Sequence, residues 1–173
     1  MSDRRALIRY FYAMLRSLPV TCLAVLLWSA CTPGTDNLCQ KIFEPYPDLI
    51  SGRVVSRTNS MLLAGMDAYR KNDHQTAADS LAAYVHKPGA SKVAHFYLAN
   101  AYLALGRPYD AELHLDHLRN GNQPYYREQW EWYYVVCWVC SGQSDRALAA
   151  ARKIAAGTHT YQAQAARLVK TLE

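Results

Sequence analysis

A pattern of small, aromatic and turn residues recurs three times between residues 61 and 156. Ala68, Tyr102 and Trp138 stand at like places, as do Asn72, Gly106 and Gly142, and again Ala77, Ala111 and Ala147. Members of each set are 34 and then 36 residues apart. A period near 34 with this mix marks a helical repeat array, in which each unit is too small to bury its own apolar face and must pack on its neighbours.

The middle copy shows the logic. Over residues 92–118 apolar side chains return at steps of three and four, as an amphipathic helix requires. Gly106 supplies the left-handed residue that ends a first helix, and Pro108 suits the first turn of a second. Ala99 and Ala111 are small enough for two helix backbones to approach, with Tyr102, Leu115 and Leu118 filling the space around them. The same reading predicts helices over 57–71 and 74–85, with Asn72 and Asp73 as their turn. A second pair falls at 92–105 and 108–119, with Ser91 as N-cap, and a third at 127–141 and 145–155. Residues 120–124 form the strongest break in the chain. Gly157 closes the third pair. Thr158 or Thr160 then caps a last helix to Leu172, whose Tyr161, Ala165, Leu168 and Leu172 cover the end. The expected fold is all-α: a short α-solenoid of three antiparallel helix pairs with a C-terminal capping helix, preceded by a signal or anchor segment.

The run Tyr97-Leu-Ala-Asn-Ala-Tyr-Leu-Ala-Leu-Gly-Arg-Pro-Tyr-Asp-Ala111 resembles a tetratricopeptide repeat. The run from Trp132 to Ala147 resembles another, and residues 64–77 a looser one in which Asn72 replaces the turn glycine. The resemblance places repeats at 58–91, 92–127 and 128–159 of a domain spanning 57–173, with the capping helix at 160–172. Residues 43–48 are also similar to a segment that precedes such repeats in some Bacteroidetes envelope proteins.

Residues 1–30 read as an export signal or membrane anchor. Arg4, Arg5, Arg9 and Arg16 lead into an apolar run of 13 residues at 18–30, short of the roughly 20 that a comfortable span needs. The run ends at Leu27-Trp-Ser-Ala-Cys31, which resembles a bacterial lipobox and implies lipidation of Cys31, although Trp28 departs from the usual aliphatic residue. An uncleaved anchor is the rival reading; it would place Arg16 inside the membrane. Formal net charge is +5, but without residues 1–30 the balance is 15 basic to 13 acidic residues, so nucleic-acid binding is not indicated. Residues 31–56 form a tether and lead-in, interrupted by Pro33, Gly34, Pro45 and Pro47, with a short helix expected at 36–43 and with Tyr46, Leu49 and Ile50 packing on the first repeat.

Chemistry-bearing residues are sparse. Cys137 and Cys140 have C-x-x-C spacing, but a single such pair with Trp138 and Val139 between its members reads as small apolar core. Cys39 joined to either is the alternative in an oxidising compartment. His114 and His117 lie one turn apart, with Asp110 and Asp116 near, a spacing that can hold a metal. Because Leu115 and Leu118 define the buried side, the two histidines are expected to face solvent, and His95 to pack in the core. No metal or other cofactor is expected, and no catalytic motif is present.

The first helices carry the remaining candidates. In the resembled family these helices line a concave groove that holds a partner segment. Here the groove residues are Leu62, Met66 and Tyr69 in the first copy, Phe96, Tyr97, Asn100 and Leu103 in the second, and Gln129, Trp132 and Tyr133 in the third. Leu62 and Met66 replace the Lys and Asn that some members use to clamp a carboxylate. An apolar, aromatic groove suits a peptide or helix of another protein. Tyr97 and Trp132, 35 residues apart, are expected side by side and partly exposed. The expected function is thus a non-catalytic protein–protein interaction or scaffold module at the cell envelope, facing the periplasm. The alternatives are a membrane-anchored regulatory, anti-sigma-like protein and an accessory subunit of a surface polymer-handling complex.

Overall fold

The computed structural model describes residues 33–121 and 124–173. The signal or anchor segment and Cys31 lie outside the described residues. Those described form eight α-helices with no strand: α1 Pro33–Ile42, α2 Ser60–Arg70, α3 His74–Val85, α4 Val93–Ala104, α5 Pro108–Asn120, α6 Arg127–Cys140, α7 Ser144–Ala156 and α8 Gln162–Leu172. A 3₁₀ turn, Pro124–Tyr126, leads into α6. From α2 onward each helix packs on the next, while α2, α4 and α6 touch in series and α1 lies against α6. Among the described residues no helix is long and apolar enough to cross a membrane.

The three turns inside the helix pairs are one structure built three times. Asn72, Gly106 and Gly142 all have positive φ, at 60°, 69° and 74°. Their N–H groups donate to the carbonyls of Tyr69, Leu103 and Val139 at 3.0, 3.0 and 3.1 Å. The next N–H in each case, from Asp73, Arg107 and Gln143, reaches back to Ala68, Tyr102 and Trp138 at 3.0, 2.8 and 2.7 Å. This double bond pattern satisfies carbonyls that a helix end otherwise leaves open. Glycine adopts the left-handed conformation without penalty, and asparagine is the residue that best replaces it. Asp73 then caps α3 by accepting from Thr76 N–H.

Packing follows the same repetition. Ala77, Ala111 and Ala147 are all 0% exposed. Gly65, Ala99 and Val135 occupy the matching place on the first helices. A Cβ at Gly65 would stand 3.0 Å from Leu81 Cγ and 3.2 Å from Ser80 Cβ, so α2 and α3 approach closely there. The apolar interior forms two clusters, one around α2, α3 and α4 and one running from α4 to α8, with Tyr46, Tyr102 and Tyr126 packed against both.

Three termini differ from expectation. Ser91 does not cap α4; the N-cap is Lys92, and Ser91 N–H instead donates to Tyr84 Oη. Neither Thr158 nor Thr160 caps α8; the backbone N–H and hydroxyl of Thr160 both donate to Glu128 on α6, tying the segment ahead of α8 to the third pair. The first helix starts at Pro33 rather than 36, since proline is well placed in a first turn.

Ala111→Leu should destabilise the protein by about 1–3 kcal/mol, because a closed contact has no room for three more carbons. Urea unfolding of the variant measures it, and a loss under about 0.5 kcal/mol would contradict the close contact described here.

Candidate interaction site

The face formed by α2, α4 and α6 is not open. Residues 43–50 lie across it, and the side chains beneath them bond to their backbone. Asn100 sets the centre. It is fully buried on α4 and donates through Nδ2 to the Phe96 carbonyl at 3.0 Å, which turns Oδ1 outward to accept Tyr46 N–H at 3.0 Å. Tyr69 on α2 donates to the Tyr46 carbonyl at 2.8 Å. Tyr133 on α6 donates to the Glu44 carbonyl at 2.6 Å. Tyr97 on α4 accepts Leu49 N–H at 3.0 Å and donates to the Pro47 carbonyl at 3.2 Å. Three copies of the unit thus contribute to holding one extended segment. The Tyr46 ring meets Phe96 edge-on at 4.9 Å, and Ile50, 1% exposed, enters the apolar cluster that holds Leu62 and Met66. Asp48 Oδ1 accepts from the N–H groups of Ile50 and Ser51, both at 2.9 Å, and so bends the chain out of the face.

Burial raises the hydroxyl pKa of Tyr69, Tyr97 and Tyr133 well above the usual tyrosine range. These groups therefore stay protonated at any ordinary pH and remain donors to the carbonyls they face. Prolines suit the segment, because Pro45 and Pro47 favour extended backbone and withhold N–H groups that the face does not use.

The expectation of an exposed groove is corrected by this segment. Leu62, Met66, Tyr69, Phe96, Tyr97, Asn100, Leu103, Trp132 and Tyr133 are all buried, and Gln129 is half-buried against Tyr46. Tyr97 and Trp132 are 0% and 5% exposed and belong to different clusters. Trp132 stacks on Tyr161 ahead of α8 at 5.5 Å. The counterpart of Tyr97 is Tyr133, 36 residues on; a slip of one residue on a helix turns a side chain by about 100°. Of the residues expected to pack on the first repeat, Ile50 does so and Leu49 is exposed, while the Tyr46 ring meets Phe96 and Tyr97 of the second copy and Tyr133 of the third.

Cysteine chemistry locks the arrangement. Cys39 on α1 and Cys140 at the end of α6 form a disulfide across 101 residues. Cys140 is thus not the inert core residue expected, while Cys137 is a buried free thiol whose pKa burial pushes far up.

A second concavity, of about 410 Å³, lies beside α6 and α7. Trp130, Tyr134 and Trp138 line it from successive turns of α6, with Arg119 and Lys153 at its rim. Trp138 Nε1 donates to Glu112 at 2.9 Å, and the guanidinium of Arg146 lies 4.5 Å over the Trp138 ring. The histidines also depart from expectation. His114 does not face solvent; it is half-buried between Tyr102 and His95, and of the two α5 histidines only His117 is exposed. Comparison with protein-family models, curated proteins and solved structures finds no match to this chain.

Two outcomes follow. The double change Tyr97→Ala with Trp132→Ala should abolish the cooperative melt seen by circular dichroism, since each removes a buried aromatic at about 3–5 kcal/mol. Alkylation of unfolded, unreduced protein should label Cys137 but not Cys39 or Cys140. Reduction should lower stability by roughly 2–5 kcal/mol, because it frees a loop of about 100 residues in the unfolded chain; an unchanged melting temperature under reductant would exclude the bond.

Proposed function

We propose that the chain is a non-catalytic interaction module of the tetratricopeptide type, a short solenoid of three helix pairs closed by α8, exported and tethered at the bacterial cell envelope. The observation that carries this reading is the backbone recognition on α2, α4 and α6: buried hydroxyls and one buried amide hold an extended segment by its main-chain groups, which is how peptide-binding faces gain affinity without demanding one sequence. Residues 43–50 are the resident occupant of that face. A partner segment competes with them for the same donors and acceptors, and the Cys39–Cys140 disulfide weights the competition toward the resident.

Export is supported by the same bond, since disulfides persist in oxidising compartments. The apolar run at 18–30 and the lipobox-like residues before Cys31 support a lipid tether on a membrane surface facing the periplasm. The accessory-subunit reading has one observation in its favour, the aromatic and cationic cleft beside α6, which suits stacking against a polymer that carries acidic groups.

Cys31→Ala should move the protein from the membrane to the soluble fraction or leave it unprocessed, and intact mass of the native protein should show a lipidated N-terminus at residue 31. An unmodified N-terminus at Met1 would overturn the lipid tether. Pull-down from envelope extract tests the module itself: Cys39→Ser should capture more of a defined partner than the native chain, and no capture by either defeats the reading.

A further inference from the structure

His95 on α4 meets His114 and His117 on α5 where the two helices of the second pair face each other. One ring nitrogen from each lies within 4.8 Å of the other two. The Nδ1 atoms of His95 and His114 are 3.0 Å apart. The rings of His95 and His117 stack at 4.3 Å, and those of His114 and Tyr102 at 5.5 Å. The Arg107 guanidinium lies over the Tyr102 ring at 4.4 Å. The three imidazoles are thus held by a continuous stack rather than projecting freely.

We propose that His95, His114 and His117 form a binding site for a divalent transition-metal ion of the zinc class. Zinc binds imidazole at about 2.0–2.1 Å, so tetrahedral ligands stand ~3.3 Å from one another. The Nδ1 atoms of His95 and His114, 3.0 Å apart, already lie near that spacing, and with all three nitrogens within 4.8 Å of one another, rotation of the exposed His117 ring out of its stack on His95 would bring in the third. The donor set selects the ion: three nitrogen donors suit zinc and its neighbours, whereas magnesium and calcium require oxygen ligands. His117 is exposed and leaves a fourth position open to water or to a ligand from outside. Such an ion joins α4 to α5 and replaces the single hydrogen bond between His95 and His114.

The test is calorimetric titration of ZnCl₂ into the full, oxidised chain without an affinity tag, with MgCl₂ as control. One equivalent of zinc should bind and raise the melting temperature, and magnesium should do neither. His117→Ala, at an exposed position, should leave the fold intact by circular dichroism. It should weaken zinc by at least about 10-fold, the smallest loss expected even for an outer partner of a ligand. His114→Gln should do the same while keeping a polar side chain of similar volume at this half-buried position. Substituting cobalt should give the visible absorption of a four-coordinate nitrogen site in the native chain only. Absence of stoichiometric zinc binding, or equal affinity in His117→Ala, overturns the site and leaves the three rings as packing alone.

Discussion

Residues 43–50 and the helix face beneath them hold each other in place. The face presents hydroxyl and amide groups from Tyr69, Tyr97, Tyr133 and Asn100 within an apolar surround. Left dry and unpaired, each such group costs on the order of 1–3 kcal/mol. The segment supplies carbonyls and N–H groups at matching intervals, so both sides are satisfied together or not at all. Because the bonds come from α2, α4 and α6, one short extended segment links all three helix pairs directly. It therefore does what sequential helix packing does not: it couples the first pair to the third.

The disulfide acts on the same device from one end. Cys39 lies four residues before Phe43, and its partner lies at the end of α6, so the bond holds the start of the segment near the third pair when the rest is loose. At the other end, Ile50 is inserted among Leu62 and Met66. Between these anchors the backbone bonds need only local ordering. Surface ion pairs such as Arg70–Asp67 and Arg107–Asp110 connect neighbours on a single helix or at its start and are solvent-exposed, so water and salt screen them. They do not hold the pairs together; burial, the segment and the disulfide do.

The second pair gathers most of the unusual chemistry. Its α4 presents Tyr97 and Asn100 to the resident segment on one side and His95 to α5 on the other. A helix that is apolar nearly all round has few solvated positions, and its polar residues must find partners inside the protein. His95 finds His114 and His117, and Asn100 finds Phe96 and Tyr46.

By itself the sequence determined the helices and their turns. The 34- and 36-residue recurrence, Gly106 and Gly142 at left-handed positions, and the small residues at 77, 111 and 147 are local or periodic signals, and helix formation and capping depend on neighbours three to five residues away. The candidate face was legible as a list of residues but not as a site. Whether Tyr69, Tyr97 and Tyr133 meet a partner, solvent or the chain itself depends on where residues 43–50 run, and the groups that Tyr97 bonds lie 48 and 50 positions before it. The disulfide is likewise a contact across 101 residues: the sequence offered Cys39 with Cys137 or Cys140 only as the alternative to apolar core, and no local signal chose between them. His114 was placed outward because Leu115 and Leu118 point in, yet the facing helix brings His95 and Tyr102 over it. In each case helical period fixed which way a side chain leaves its own backbone, and only the packed neighbours decided what it meets.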